Sequence, residues 1–323
     1  MRAWIVGAGA VGLGLASALL AGGARVGLVA RTETRRALRR KGLRKSGLFG
    51  ERLHPPESFA LAAEIAAIPA PADFLVVATK SFDSEPVADA LAGSAVLGQD
   101  TQVVLFQNGW GNEEPFVARL PRERVWSARV ITGFRRPEPQ HVEITVHAEP
   151  IRVGSLFGEP AERVRPLCDC VAAGGLPCEP TDRIAHDLWA KLLYNGVLNP
   201  LGAICDVRYG ALAAHPATRE TLGALAREIF AVMRAAGHAT HWPDAAAYLE
   251  DFHARLLPPT AAHESSMLQD LRAGRRTEID ALTGAVVRLG EAHGIETPVN
   301  RTLLSLVRFL EDHRRVAGAN RLD

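Results

Sequence analysis

Three polar residues stand at helical spacing in a stretch that is otherwise apolar. Lys191, Asn195 and Asn199 follow one another every fourth residue, so on an α-helix their side chains form one stripe along a single face. The other positions of residues 189–204 are mostly apolar, and a helix that is apolar nearly all round is a buried helix. An ammonium and two carboxamides are costly to bury without partners. The stretch therefore predicts a ligand site, the alternative being a surface helix whose polar face carries little charge.

Residues 264–280 form a second polar segment with two further candidates. Ser266 stands where it could cap a short helix or contact a ligand, and its chemistry favours neither role over the other. Glu278 falls in the first turn of a predicted helix, where an acid suits the helix dipole. Gly274 can end the first helix of the segment, and Thr277 can cap the second. The segment offers a hydroxyl and a carboxylate that each have an ordinary structural alternative.

A glycine-rich hexapeptide lies between a short apolar run, residues 3–6, and a helix-like run, residues 13–20. Its residues are Gly7, Ala8, Gly9, Ala10, Val11 and Gly12. Between a strand and a helix, the first glycine permits a tight turn, the second lets the backbone approach a pyrophosphate, and the third lets the helix pack on the strand. The anion then lies at the positive end of the helix. The motif predicts a dinucleotide-binding loop, the alternative being a glycine turn without a ligand.

Polar residues also follow three of the predicted strands. Arg31 follows the second strand; an acid there would hold the ribose hydroxyls of NAD, whereas an arginine can pair with a 2′-phosphate, so Arg31 favours NADP. Lys80 and Asn108 follow the strands predicted at residues 73–79 and 101–106. Residues at the carboxyl ends of parallel strands point into the ligand crevice. Both are therefore candidate cofactor contacts, with ordinary strand-end turns as the alternative.

The composition is that of a globular protein without a general charge. Of the 323 residues 47% are hydrophobic and 23% charged, and 37 Lys and Arg nearly cancel 36 Asp and Glu. This balance excludes a general field for nucleic acid or an anionic membrane. The four cysteines lack C-x-x-C spacing and predict reduced thiols, with a disulfide or metal site as the alternative. Glycines interrupt the apolar N-terminal run, which argues against a secretion signal, so the expected location is the cytoplasm.

The pattern of elements predicts an α/β N-terminal Rossmann domain with a mostly parallel sheet, followed by an all-α C-terminal domain. A chain of this length exceeds the size at which single cores stop growing, about 250–300 residues. Near-continuous buried strands indicate the parallel sheet, and short apolar runs in residues 124–154 predict further strands. The predicted helices of the second half cover residues 182–204, 218–236, 243–255, 266–272, 278–293 and 298–312. The boundary is predicted within residues 168–181, which gives domains 1–172 and 173–323.

With these segments in hand, the sequence resembles the ketopantoate reductase family (2-dehydropantoate 2-reductases). The matching pieces are residues 7–12, Thr79-Lys80, Gln107-Asn108-Gly109, the Lys191/Asn195/Asn199 helix with Pro200, and residues 265–270 and 276–280. They extend over both predicted domains. The last two motifs are specific, whereas the glycine loop is shared by many dehydrogenases.

The resemblance implies an NADPH-dependent reduction of 2-dehydropantoate to pantoate, a step toward pantothenate and coenzyme A. It implies that Lys191 is the general acid. The substrate-binding residues that it implies are Asn108, Asn195, Asn199, Ser266 and Glu278. Together with the loop and Arg31, the cofactor contacts are Lys80 and Asn108 beside the nicotinamide half, Glu278 at the ribose, and Thr132 as a fainter candidate. The cofactor is NADP(H), and no metal is implied.

Two departures from the family pattern concern the substrate. Tyr209-Gly210 stands where members often carry an Asn-Gly pair that helps to bind substrate, and residues 134–149 lack the usual glycine-rich turn. One alternative is therefore a paralogue that reduces another 2-keto acid. An alternative of another class is a non-catalytic NADP(H)-sensing protein, against which Lys191 and Glu278 together speak. The expected partner is a small-molecule 2-keto acid, and the oligomeric state stays open, a homodimer included.

Overall fold

The computed structural model describes residues 1–69 and 71–319. By contact the chain divides into two compact units, Met1–Gln107 with Asn112–Ile184 and Asn108–Gly111 with Ala185–Asp323. The first is α/β and the second is helical, so the predicted fold class is confirmed. The division by contact follows Ile184, beyond the predicted boundary at residues 172/173, because the strand at residues 178–180 pairs with the sheet of the first unit. Residues 320–323 of the predicted second domain lie outside the described residues.

The first unit is built on one sheet of ten strands. These are β1 (Arg2–Val6), β2 (Arg25–Val29), β3 (Leu43–Gly47), β4 (Arg52–His54), β5 (Phe59–Ala62), β6 (Phe74–Val77), β7 (Gln102–Leu105), β8 (Val125–Glu138), β9 (His141–Gly154) and β10 (Cys178–Pro180). Their order is β4-β3-β9-β8-β7-β6-β1-β2-β5, and β10 pairs with β9. Among the described residues every pairing is parallel except those of β3 with β4 and β8 with β9.

Helices cover both faces of this sheet. They are α1 (Ala10–Ala21), α2 (Thr32–Lys41), α3 (Ser84–Ala92), α4 (Glu114–Val117) and α5 (Arg165–Ala173). Side chains of β1 alternate between two cores: Ile5 packs with α1 and α5, whereas Trp4 and Val6 pack with α3 and α4. Because successive strand residues point to opposite faces, a strand buried on both sides must be apolar throughout. This explains the continuous apolar runs of β1, β6 and β7.

The second unit is a packed set of helices. They are α6 (Ile184–Cys205), α7 (Tyr209–Ala214), α8 (Pro216–Ala235), α9 (Ala245–Asp251), α10 (Ser266–Arg272), α11 (Thr283–Ala292) and α12 (Pro298–Ala319). A π-helical turn, Phe252–Leu256, continues α9. Helix α8 packs against α7, α9, α11 and α12. Within the described part of the chain, no helix is both long enough and apolar enough to cross a membrane.

Short 3₁₀ helices complete both units. They cover Pro56–Ser58, Ile65–Ala67, Ser81–Asp83, Arg122–Arg124, Ala161–Val164 and Pro258–Thr260. The several short strands predicted in residues 124–154 are instead two strands of 14 residues, β8 and β9, which pair antiparallel. Residues 135–138 of β8 and most of residues 145–149 of β9 are exposed, so these positions do not need apolar side chains to remain within a strand.

Gly9 and Gly12 of the glycine loop differ in what surrounds them. A Cβ built at Gly12 would lie 2.0 Å from the carbonyl oxygen of Gly7, which follows β1. A Cβ built at Gly9, the residue before α1, has no described heavy atom within 4 Å. Gly12 is therefore required by the packing of the helix on the strand, whereas Gly9 leaves space in front of the backbone.

Alanine substitutions at the two glycines should have very different effects on stability. We expect Gly12→Ala to lower the free energy of unfolding by about 3 kcal/mol or more, because backbone atoms must move to admit the methyl group. Gly9→Ala, whose φ of −76° suits alanine, should stay within about 0.5 kcal/mol of the wild type. Urea denaturation followed by circular dichroism measures both variants. Equal midpoints for the two variants would contradict the described packing of α1 on β1.

Candidate active site

The polar stripe predicted on one helix lies on α6. Lys191, Asn195 and Asn199 share one face because they are separated by single four-residue steps of an uninterrupted helix. The apolar residues around the stripe are buried, namely Leu188, Leu192, Leu193, Val197 and Leu198. The prediction of a buried helix is confirmed, and the alternative of a surface helix is wrong. The stripe thus places an ammonium and two carboxamides in surroundings where each needs a partner.

Asn108 joins Lys191 to Glu278. The Lys191 Nζ donates to Asn108 Oδ1 at 2.5 Å, and Asn108 Nδ2 donates to Glu278 Oε2 at 3.3 Å. Glu278 is only 7% exposed, and Lys191 is half-buried. A carboxylate in such a place needs hydrogen bonds and a nearby positive charge. The Asn108 amide donates a hydrogen bond to the Glu278 carboxylate and accepts one from the Lys191 ammonium. The structure therefore brings together three of the predicted site residues, all within the second unit.

The loop Asn108–Gly111 is fixed against the turn that precedes α11. Gly109 has a φ of +101°, and a Cβ there would lie 2.2 Å from the carbonyl oxygen of Ala281. The Trp110 N–H donates to that same oxygen at 2.9 Å. A side chain at Gly109 would therefore meet a steric block as well as backbone strain. These contacts hold the Asn108 amide between its two charged partners.

Glu278 lies in a turn and not in a helix. The predicted helical start at residue 278 is wrong, because α11 begins at Thr283. The turn is closed by backbone bonds from Ala281 and Leu282 to the Glu278 carbonyl, both at 3.1 Å, and Thr277 Oγ1 accepts from the Ile279 N–H at 3.1 Å. The acid is therefore not explained by the dipole of α11, and its hydrogen bond with Asn108 is one contact that supports a buried carboxylate here.

Ser266 is the exposed first residue of α10. The cap of that helix is Ser265, whose buried hydroxyl accepts from the Leu268 N–H at 3.0 Å. The capping role considered for Ser266 is therefore wrong by one residue, and its contact with a ligand stays a prediction. Gly274, with a φ of +62°, follows the end of α10 as expected.

Asn199 is buried, and its side-chain oxygen has a partner that the sequence pattern does not reveal. The Tyr209 hydroxyl, at the start of α7, donates to Asn199 Oδ1 at 2.6 Å. Asn199 and Tyr209 are each 4% exposed. Asn195, one turn nearer to Lys191, is half-buried. Tyr209 is noticeable in the sequence only as a departure from the expected Asn-Gly pair, and nothing in that departure shows its link to Asn199.

An aromatic cluster that sequence reasoning missed packs behind the polar residues. The rings of Trp110 and Trp189 lie 4.8 Å apart between centroids, and His238 lies 4.7 Å from Trp110. Burial lowers the pKa of His238, and the nearby His186 and His293 lower it further. A neutral imidazole between two indoles gives the cluster an apolar character. The only signal in the sequence is that each tryptophan stands two residues from Asn108 or Lys191.

The predicted cofactor residues of the first unit gather at adjacent strand ends. Gly7 follows β1, Arg31 follows β2 by two residues, and Lys80 follows β6 by three. These strands are parallel neighbours in the sheet, so their carboxyl ends lie at one edge, where such sheets bind ligands. The Lys80 carbonyl is held by the Gln107 Nε2 at 3.2 Å. The contacts of all these residues with a cofactor stay predictions.

Arg31 and Thr132 have different surroundings in the first unit. Arg31 is exposed immediately before α2, a helix that carries five further cations and one acid, Glu33. Thr132 lies in β8, and its hydroxyl forms a hydrogen bond of 2.9 Å with His147 Nδ1. The hydroxyl of Thr132 is thus already engaged within the sheet, whereas the guanidinium of Arg31 faces outward.

Comparison with known proteins gives one consistent result. A family model described as Ketopantoate reductase PanE/ApbA matches residues 4–157, and one described as Ketopantoate reductase PanE/ApbA C terminal matches residues 183–311. The 2-dehydropantoate 2-reductase of Aquifex aeolicus (strain VF5) is 35% identical over 313 residues, which cover 96% of this chain and 97% of that protein.

Solved structures show the same similarity over the whole chain. A PanE/ApbA family ketopantoate reductase from Ralstonia eutropha JMP134 matches with a TM-score of 0.86 and 31% identity, covering 98% of this chain and 100% of that one. A D-mandelate dehydrogenase in complex with NADH matches with a TM-score of 0.82 and 25% identity, covering 97% of this chain and 99% of that one.

Proposed function

The chain belongs to the ketopantoate reductase family, and from that membership and its site we propose that it reduces 2-dehydropantoate to pantoate with NADPH. The observation that carries the proposal is the chain of hydrogen bonds from Lys191 through Asn108 to Glu278. It provides a proton donor that is fixed in direction beside a carboxylate. Such an arrangement suits reduction of a ketone in a 2-keto acid, and the reaction is a step toward pantothenate and coenzyme A.

The residues of the glycine loop fit a dinucleotide. The space in front of Gly9 leaves the backbone open to a pyrophosphate, and the first turn of α1 carries no acidic side chain that would compete with the anion. The Gly9, Ala10 and Val11 N–H groups at this helix start would hold the pyrophosphate. When bound, the nicotinamide supplies the hydride that reduces the ketone carbon. The NADH complex of the related D-mandelate dehydrogenase supports a nicotinamide cofactor, and Arg31 favours the phosphorylated form.

Lys191 performs the proton chemistry in this proposal. Its ammonium donates a hydrogen bond to the ketone oxygen and stabilises the negative charge that develops there. It then gives that oxygen a proton and becomes a neutral amine, which regains a proton from water. Asn108 Oδ1 holds the Nζ in place, and Glu278 holds the Asn108 amide in the orientation that makes this possible. A sensing protein without turnover would need none of these three roles.

Replacement of the lysine should separate chemistry from cofactor binding. We expect Lys191→Ala to lower kcat by about 10²–10⁴-fold, because the general acid and the charge opposite the oxyanion are both lost. The dissociation constant of NADPH, measured by fluorescence, should stay unchanged, because the glycine loop belongs to the first unit. Lys41→Ala, which removes an exposed lysine of that unit, is the matched control. Unchanged turnover in the Lys191 variant would refute the assignment.

The cofactor preference is expected to depend on Arg31. A charge-assisted hydrogen bond contributes about 1.5–3 kcal/mol, so Arg31→Ala should raise the KM for NADPH by about 10-fold or more and leave that for NADH nearly unchanged. Arg40→Ala, which removes an exposed cation from the far end of α2, controls for the general positive charge. The interpretation of Arg31 is wrong if the wild-type kcat/KM for NADH is at least as high as that for NADPH.

Another 2-keto acid is the second candidate substrate, because a D-mandelate dehydrogenase shares this fold and Tyr209 departs from the family pattern. The deciding comparison is kcat/KM for ketopantoate against 2-ketoisovalerate, which lacks the hydroxymethyl group. A site that binds the hydroxyl rejects the smaller acid by up to about 10⁴–10⁵-fold, because its own polar groups are left unpaired. We expect a preference for ketopantoate of at least about 100-fold. Equal rates would identify a reductase of a different 2-keto acid.

A further inference from the structure

The Asn199 amide has a hydrogen-bond partner at its oxygen, whereas no partner at its nitrogen is found among the described residues. Its Oδ1 accepts a hydrogen bond from the Tyr209 hydroxyl at 2.6 Å. Its Nδ2 donates to no residue in the described part of the chain, although the side chain is 96% buried, with 4% exposed. The nitrogen itself is not fully enclosed, so a ligand can reach its N–H groups without displacing another partner. The geometry therefore leaves two donors on the same helix face as Lys191.

The hydroxyl of Tyr209 fixes which side of the amide is open. If the amide were turned over, its nitrogen would face the phenol oxygen, and the phenol proton would have no acceptor in the described residues. Burial raises the pKa of Tyr209 far above its usual range, so the phenol keeps this proton at every working pH. The Tyr209 hydroxyl is thus a permanent donor to Asn199 Oδ1, and it fixes the amide in the orientation that turns the N–H groups away from Tyr209.

Tyr209 is itself held firmly at the start of α7. Its backbone N–H donates to the His263 carbonyl at 3.2 Å, and the next residue, Gly210, donates to the Ala261 carbonyl at 2.9 Å. Its ring meets that of Tyr194 edge-on, with 6.1 Å between centroids. These contacts hold the Tyr209 ring in the position where its hydroxyl meets Asn199. The hydroxyl acts on a ligand only through the Asn199 amide.

Asn199 is the member of the stripe farthest from Lys191. Eight residues of helix separate them by about 12 Å along the axis. In 2-dehydropantoate the carboxylate is bonded to the ketone carbon itself, whereas the hydroxymethyl group lies beyond a quaternary carbon. The hydroxymethyl oxygen is therefore the polar atom of the substrate farthest from the ketone, which matches the position of Asn199 as the stripe residue farthest from Lys191.

We propose that Tyr209 is a specificity-determining positioning residue, which locks the Asn199 amide so that its N–H donates to the hydroxymethyl oxygen of the substrate. This inference rests on the proposed function. Tyr209 does not touch the substrate, and it does not replace the missing asparagine as a direct contact. It fixes the orientation of the Asn199 amide, so that the amide meets the substrate with its N–H groups.

The test is the ratio of kcat/KM for ketopantoate to kcat/KM for 2-ketoisovalerate. We expect Tyr209→Phe, which keeps the ring and removes one hydroxyl, to lower this ratio by about 3- to 10-fold through a higher KM for ketopantoate. The values for 2-ketoisovalerate should stay as in the wild type, because that acid has no group for Asn199 to bind. A loss of general order would lower both rates together, and an equal loss for both acids overturns the proposal.

Two further variants sharpen this result. Tyr194→Phe removes a neighbouring hydroxyl that bonds Thr260 and not Asn199, and it should leave the ratio unchanged. Asn199→Ala should lower the ratio, and Tyr209→Phe added to it should have no further effect, because coupled residues are not additive. A further drop in the double variant overturns the proposal.

The wild type separates this inference from the proposed function. Failure of the wild type to reduce ketopantoate refutes the proposed function, and calorimetric dissociation constants of the two acids for the wild type and Tyr209→Phe then decide the inference by the same ratio. A wild type that binds neither acid overturns both. If ketopantoate is reduced and preferred, an unchanged ratio in Tyr209→Phe overturns the inference alone.

Discussion

The pairing of a buried carboxylate with an ammonium through one amide is the constraint on which the site depends. Glu278 and Lys191 lie in apolar surroundings, where neither charge is tolerated alone, and Asn108 spans them with its oxygen toward the lysine and its nitrogen toward the acid. The amide can do this in one orientation only. The loop that carries it must therefore be rigid, which accounts for the close approach of Gly109 to Ala281.

The end of strand β7 places a second constraint on the sequence, because two adjacent residues there, Gln107 and Asn108, make contacts in different units. Gln107 follows β7 and is buried, and its side chain donates to the Lys80 carbonyl and to Ser84 Oγ at 2.9 Å, all within the first unit. The next residue, Asn108, belongs by contact to the second unit. Two consecutive amides thus serve two different units. Substitution of Gln107 should disturb its contacts with Lys80 and Ser84, whereas substitution of Asn108 should disturb those with Lys191 and Glu278.

Secondary structure can be predicted from this sequence where side-chain burial repeats regularly along an element. Helix α6 is buried along most of its length, which gives its sequence a helical period. Strands β1, β6 and β7 are buried on both faces, which makes their sequences continuously apolar. The sequence predicts the bounds of these four elements to within about two residues. Prediction fails where burial is partial or the element is short. The strands β3 and β4 carry alternating or charged residues at an edge of the sheet, and α7 has only six residues, too few to show a period.

The same distinction separates the proposed chemistry from its specificity. Lys191 is visible in the sequence because a charge within an apolar helix is costly, and a costly residue is retained only where something offsets it. Tyr209 imposes no such cost, since a buried tyrosine with a bonded hydroxyl is ordinary in a protein core. Its influence on Asn199 depends on which of two amide faces is occupied, a choice without any trace in residue type or spacing. Reaction type can therefore be inferred from a sequence more readily than substrate. A charged residue in an apolar helix is visible in the sequence, whereas the orientation of a neutral amide is not.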